Sequence, residues 1–333
     1  MRTSRPAAIA ALAALALCLC PTSARAAEDG SGPGFTAGPP VSALEPERGS
    51  ALSLPKAVVL GVIEGLTEYL PISSTGHLAV AERLLGIGRT PAEKSAADSY
   101  AIVIQGGAIL AVLLVSLKRI RAMLRGLVGK DRDGLKLLVN LVVAFVPAAA
   151  IGLATESLRT RLYGTWPIVG AWIVGGLAIL ALVRARSTGV RGGDTAPEPI
   201  GRPLESLAWR SALLIGFAQA IAIWPGVSRS LVTIAAAMLI GLSVPAAVEF
   251  SFLLGLVTLG AATGYEAVKS GGEIVASFGV ITPLVGFAVA AVCAFIAVRW
   301  MVGWLKKRSL SVFGWYRIGL GVVVGALALA GIA

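Results

Sequence analysis

The sequence predicts an all-α polytopic membrane protein, with six transmembrane helices and two re-entrant helical hairpins arranged as an inverted-topology repeat. Three observations carry that expectation. Of 333 residues, 56% are hydrophobic and 14% charged, with a mean hydropathy of +0.83, whereas soluble domains lie near about 45–50% apolar and about 25% charged. Six apolar runs, at 100–117, 137–155, 166–184, 246–266, 277–298 and 313–332, are each long enough to cross a bilayer as a helix. Two more runs are short and broken, 52–70 with 72–86 and 211–224 with 230–243, each pair split by proline and hydroxyl residues. Interrupted segments in corresponding places of two halves point to a binding site within a membrane.

Residues 1–26 read as a secretory signal peptide. Arg2 and Arg5 form a basic start, Ala7 to Cys20 an apolar core, and Ala24-Arg25-Ala26 a cleavage site of the A-x-A kind. Residues 27–50, rich in Gly, Pro and Ser, read as a flexible external linker, and the integral membrane domain as 51–333 with repeat halves at about 52–184 and 208–332. Three cysteines, Cys18, Cys20 and Cys293, suggest neither a disulfide framework nor a metal spacing. The net charge of +11 does not imply a nucleic-acid partner, because the basic residues cluster between apolar runs, where they act as orientation signals. Loops 118–136, 184–210 and 299–308 carry most of them and are expected in the cytoplasm, with the chain before residue 100 outside. The first hairpin then dips in from outside, and the second from the cytoplasm.

Charge concentrates inside the first broken run, in GVIEGLTEYLPISSTGHL from Gly61 to Leu78. Glu64 and Glu68 are four residues apart, so on a helix they share a face and repel. Within lipid each ionised acid costs about 2.5–3.5 kcal/mol on insertion scales. A shared proton, a divalent cation or a cationic group from elsewhere must compensate. Pro71 interrupts the helix, and Ser73, Ser74 and Thr75 can cap the next one, whose free N–H groups attract anions. His77, three residues past Ser74, lies on roughly the same helix face.

The second broken run repeats the first at a shift of 155 residues. Gly61 meets Gly216, Glu64 meets Gln219, Tyr69 meets Trp224, Ser73 meets Ser228 and Thr75 meets Ser230. Its WPGVSRSLVT segment adds Arg229, whose planar fork suits phosphate oxygens, flanked by Ser228, Ser230 and Thr233. Gln105 and Gln219 read as interhelical hydrogen-bond partners, Glu249 as stabilising a helix start, and Tyr69, Trp224 and Trp304 as packing or interfacial residues.

These two stretches resemble the signature regions of the bacterial undecaprenyl-diphosphate phosphatase family, linked to bacitracin resistance; SYAIVIQ at 99–105, VEFSFLLG at 248–255 and WYRIGLG at 315–321 resemble lesser landmarks of it. Leu231-Val232 stand where the family has Gly-Ala. The resemblance implies hydrolysis of undecaprenyl diphosphate to the monophosphate carrier and inorganic phosphate, recycling the lipid for peptidoglycan synthesis. It also implies a site between two inverted hairpins that opens to the external or periplasmic side of the cytoplasmic membrane. It further implies that Glu64 and Glu68 form the acidic motif, that Ser74 and His77 act in catalysis, and that Ser228, Arg229 and Thr233 hold phosphate. Ser73, Thr75 and Ser230 are further candidate substrate contacts. The acid pair is expected to hold Mg²⁺ or Ca²⁺, since hard cations prefer carboxylate oxygens. Ser74 then attacks phosphorus or orients water, with His77 or a glutamate taking the proton. A transporter or flippase for a lipid phosphate or small anion is the rival expectation, because broken helices and inverted repeats are also transporter architecture. Membrane lipids surround the domain, and a homodimer is compatible with the sequence.

Overall fold

The computed structural model describes residues 52–88, 90–155, 162, 164–187, 201–305 and 308–331, the side chains of 91, 92, 270–273 and 275–277 apart. The expected signal peptide at 1–26 and linker at 27–50 lie outside these residues. The chain is an all-α, multi-pass membrane protein. Among the described residues it forms eleven α-helices and no strand, and six of the helices are long and apolar enough to cross a membrane.

The first broken run forms α1 (Leu54–Thr67) and α2 (Ser74–Leu84), with proline in the first turn of α1, where a missing N–H breaks no helical bond. α3 (Pro91–Val115) opens on Thr90, whose hydroxyl accepts from the Glu93 N–H at 3.2 Å. α4 (Leu117–Leu127) occupies part of the stretch expected to be a basic loop. The spacing of Leu117, Ile120, Met123, Leu124 and Leu127 is helical, and Met123 is buried while Arg121 and Arg125 are exposed. Charge density marked this segment as a loop, although its apolar period marked an amphipathic helix. α5 (Arg132–Ala154) starts on Asp131, whose Oδ1 accepts from the Gly134 N–H at 2.8 Å, and α6 (Thr165–Ser187) completes the first half.

The second broken run forms α7 (Trp209–Gln219), a 3₁₀ turn at Ala220–Ile223 and α8 (Arg229–Leu239). The spanning helices α9 (Val244–Phe278), α10 (Ile281–Leu305) and α11 (Ser311–Leu329) follow. α9 continues through the gap between the apolar runs 246–266 and 277–298, so its 35 residues exceed what a bilayer requires.

Packing between the halves follows a two-fold exchange. α1 lies against α10 of the other half and α7 against α5, while the corresponding helices α3 and α9, and α6 and α11, pair with each other. Glycines matched by the 155-residue shift mark the equivalent contacts. A Cβ on Gly61 would lie 2.8 Å from the Gly286 carbonyl of α10, and one on Gly216 would strike the Ala144 carbonyl of α5. Lipid tails are as apolar as side chains, so close backbone approach at small residues is what draws membrane helices together. The repeat seen in sequence is therefore a repeat of contacts.

Candidate active site

The link between α1 and α2 and the link between the 3₁₀ turn and α8 end in the same unusual way. Ser73 (φ 73, ψ 97) and Ser228 (φ 79, ψ 113) cap α2 and α8, and they are the non-glycine residues with positive φ among those described. Each hydroxyl accepts from the N–H three residues on, Gly76 at 3.4 Å and Leu231 at 3.2 Å. A serine held in this region costs on the order of 1–3 kcal/mol, which surrounding contacts must over-determine.

Those contacts are visible. Ser230 donates to the Leu70 carbonyl at 2.8 Å and lies 2.9 Å from the Ser228 hydroxyl, so one turn is tied to the other. Arg317 of α11 is fully buried, and its guanidinium donates to Pro71 O (3.2 Å) in the first turn and Gly226 O (2.9 Å) in the second. It also donates to Ala171 O at 2.8 Å and Trp172 O at 3.4 Å on α6. A buried cation is tolerated when its donors are satisfied, and carbonyl dipoles satisfy this one. A Cβ on Gly175 would occupy the guanidinium's place.

The polar centre lies between the two turns. Glu68 is the hub: Ser74 Oγ donates to its Oε2, and Arg229 Nη2 donates to its Oε1 at 3.1 Å. Arg229 Nη1 donates to Ser251 O at 3.0 Å, its guanidinium lies 5.2 Å from the centroid of the Tyr69 ring, and its Nε is buried without a partner. Tyr69 in turn meets Phe252 edge-on at 5.5 Å. Glu64, 1% exposed, lies beside Glu68 and Ser74 with Oε2 unpartnered. Of the three ways to compensate two buried acids, the fold supplies a cation from elsewhere, Arg229. One arginine offsets one carboxylate, so Glu64 is left with a free oxygen facing the same centre.

Glu64, Glu68, Ser74 and Arg229 are thus brought together as the sequence suggested. The other candidates are placed differently. Ser230 and Thr233 are fully buried and their hydroxyls engaged: Thr233 donates to Arg229 O at 2.9 Å and lies 2.6 Å from Ser251 Oγ. Thr75 is exposed and joins none of these bonds among the described residues. His77 is turned away from Ser74, with Nδ1 2.7 Å from Ser73 O and Nε2 2.8 Å from the Tyr316 hydroxyl. Gln105 accepts from Thr263 at 3.1 Å, as an interhelical partner should. Glu249 does more than stabilise a helix start: it pairs with Arg119 at 2.7 and 3.1 Å, while Arg119 also holds Glu205 at 2.7 Å. Tyr69 is 1% exposed and belongs to the site rather than an interface.

Sequence reasoning gave no role to Ser251, Gly255, Tyr316 and Arg317, although the landmark stretches 248–255 and 315–321 contain them, and it passed over Trp172. A lone arginine in the apolar run 313–332 was itself a signal, since ionisable groups at depth are expensive. Gly255 had no comparable signal: a Cβ there would collide with the Arg229 guanidinium, a contact that only the folded structure reveals.

As to metal chemistry, Glu64 Oε2 is an orphaned buried acceptor, while both oxygens of Glu68 are engaged. No group of three or more His, Cys, Asp or Glu residues is placed for a metal among the described residues. That donor set fits a cation held by one or two carboxylates together with substrate phosphates, the habit of Mg²⁺.

Fold and site together define a polytopic membrane protein with a buried carboxylate, hydroxyl and guanidinium centre at two helix starts. The family model described as bacitracin resistance protein BacA matches residues 57–323. The chain belongs to that family. It is 43% identical over 270 residues to a protein of Sorangium cellulosum named undecaprenyl-diphosphatase, covering 80% of this chain and 84% of that one. It is also 40% identical over 279 residues to undecaprenyl-diphosphatase 2 of Rhodospirillum rubrum, covering 83% and 96%. A third relative, the undecaprenyl-diphosphatase of Methylococcus capsulatus, is 38% identical over 281 residues, with 83% and 95% covered.

Proposed function

We propose that the protein hydrolyses undecaprenyl diphosphate to undecaprenyl phosphate and inorganic phosphate. The carrying observation is the Ser74 hydroxyl donating to a carboxylate that is itself paired with Arg229, in a chain whose relatives are named for this reaction. The diphosphate enters between the N-termini of α2 and α8, whose N–H groups and positive ends favour anions. The unpartnered Arg229 Nε is a donor available to its oxygens. Glu68 takes the Ser74 proton as Oγ attacks the terminal phosphorus, and the bond to the bridging oxygen breaks, its electron pair leaving with undecaprenyl phosphate. Glu68 passes that proton to the departing phosphate oxygen; water then attacks the phosphoserine and gives a proton to the ionised Glu68, the bond from phosphorus to Oγ breaks to release inorganic phosphate, and Ser74 Oγ takes its proton back from Glu68. Glu68 fills the base's role in preference to His77 because it, and not the imidazole, bonds Ser74.

Two acids against one site arginine leave no positive charge to spare for a diphosphate. A divalent cation, Mg²⁺ or Ca²⁺, held by Glu64 and Glu68 would supply neutralising charge at the phosphate oxygens. Purified protein is expected to release phosphate from undecaprenyl diphosphate, to stop when EDTA is added and to recover with Mg²⁺ or Ca²⁺. Undiminished release in EDTA would remove the cation from the reading. No release at all, with transport of a lipid phosphate in vesicles, would favour the transport reading.

We further propose that the chain lies in the bacterial cytoplasmic membrane with the two hairpins re-entrant from opposite faces and the site opening outward. The support is the loop charge pattern: Arg121, Arg125 and Lys130 are exposed around α4. In a cysteine-free background, a cysteine replacing exposed Ser95 is expected to react with a membrane-impermeant thiol reagent on intact cells. One replacing Lys130 is expected to stay unlabelled until the cells are opened. The opposite pattern overturns the orientation.

A further inference from the structure

His77 has two ring nitrogens, and the fold assigns a role to each. Nδ1 lies 2.7 Å from the Ser73 carbonyl, which can only accept, so the ring hydrogen sits on Nδ1. In the neutral ring Nε2 then carries the lone pair, and the Tyr316 hydroxyl at 2.8 Å donates to it. The phenol and imidazole rings lie 7° from parallel with centroids 5.8 Å apart. Trp172 closes the other side edge-on at 5.2 Å and is fixed in its own place by donating to Ile72 O at 3.0 Å. The imidazole thus has its tautomer, plane and tilt determined by neighbours, and no hydrogen bond joins it to Ser74 or Glu68 among the described residues.

What the imidazole touches is the strained residue. Ser73, at φ 73, offers its carbonyl to both His77 Nδ1 and the His77 backbone N–H, the latter at 3.3 Å. The next residue is Ser74, whose Oγ must meet Glu68. Ser228 adopts the same conformation in the second turn, where the residue matching His77 is Val232. The extra brace is found at the turn that carries the hydroxyl.

We propose that Tyr316 is a positioning residue that acts through His77: the phenol holds the imidazole, the imidazole holds the Ser73 carbonyl, and the turn so fixed aims Ser74 at Glu68. His77 in this arrangement orients the hydroxyl and does not take its proton. The inference rests on the phosphatase reading and on Ser74 as its nucleophile.

Asparagine separates the two roles, because its amide nitrogen sits where Nδ1 sits and can donate to Ser73 O, yet it cannot accept a proton at neutral pH. With undecaprenyl diphosphate and protein checked for monodispersity and melting in detergent, His77→Ala is expected to lower kcat about a hundredfold, the scale of a small misplacement of a reacting group. His77→Asn is expected to recover to within about tenfold of wild type, and Tyr316→Phe, which keeps the ring and loses the hydroxyl, to lower kcat roughly tenfold with KM little changed. Adding Tyr316→Phe to His77→Ala should cost nothing further, as for two residues in one chain of contacts. His77→Asn as inactive as His77→Ala overturns the inference in favour of proton transfer, and so does an effect of Tyr316→Phe that persists in the His77→Ala background. Wild-type protein that releases no phosphate is a different failure, that of the phosphatase reading itself.

Discussion

Glu68→Gln is expected to lower phosphate release by about 10²–10⁴-fold, the range over which a positioned acid or base contributes to a reaction. The exchange keeps the side chain's volume and removes its charge. Glu68 accepts from Arg229 through one oxygen and from Ser74 through the other. A glutamine has a single acceptor oxygen, so if it continues to satisfy the buried guanidinium, its amide nitrogen faces Ser74 and donates where the carboxylate accepted. The hydroxyl then has nowhere to send its proton. Reversing the amide serves Ser74 but sets two donors against each other at Arg229. Either way the site loses its chemistry while most of the contacts that hold the turns remain: Ser230 to Leu70, and Arg317 to Pro71 and Gly226, do not involve Glu68. Melting in detergent is therefore expected to stay close to wild type. Near-normal turnover by this variant would remove Glu68 from the reaction and leave Glu64, with its unpartnered oxygen, as the remaining acid to test.

How much of this was legible beforehand depends on the range of the interaction concerned. Helices long enough to span a bilayer are written locally as uninterrupted apolar runs, and all six appear in the fold. The acid pair, the hydroxyls after Pro71 and Arg229 are also local anomalies, each a polar group where burial is costly, and the fold gathers Glu64, Glu68, Ser74 and Arg229. The repeat could be read at a shift of 155 residues because both turns need the same backbone at Ser73 and Ser228. Partner choice across the fold was not legible. Helical spacing put His77 near the face of Ser74, but its imidazole meets Ser73 O and the hydroxyl of Tyr316, 239 residues away. Ser230 and Thr233 looked like phosphate ligands by type, and their hydroxyl hydrogens go to Leu70 and Arg229 carbonyls instead. Residue type suggested what these groups could bond, and only packing decided which bond forms.

Gly255→Ala is the change whose effect on activity should most exceed its effect on stability. The residue lies inside α9, where alanine favours the helix over glycine by about 1 kcal/mol, which offsets part of the cost of disturbing the buried Arg229–Glu68 pair, so a folded protein with a melting temperature moderately below wild type is expected. A Cβ there would meet the Nη1, Cζ and Nη2 atoms of Arg229, and these are the atoms nearest to it. The backbone of α9 has no reason to move when a side chain can, so the guanidinium is what gives way. Its present place is defined by Glu68 Oε1 on one side and Ser251 O on the other. Displacement breaks the pairing that orients Glu68 and moves the cation from the phosphate path, and a shift near 1 Å in such a group costs about a hundredfold in kcat/KM. Gly260→Ala on the same helix, where a Cβ meets nothing within 4 Å, is the matched control and should leave activity intact. Lysine has no fork to collide with the new methyl group. In an Arg229→Lys background, itself impaired, Gly255→Ala should therefore add little. A loss in Gly255→Ala that is reproduced in full on top of Arg229→Lys would show that the methyl group acts on something other than the arginine, and that Gly255 is not the seat of its guanidinium.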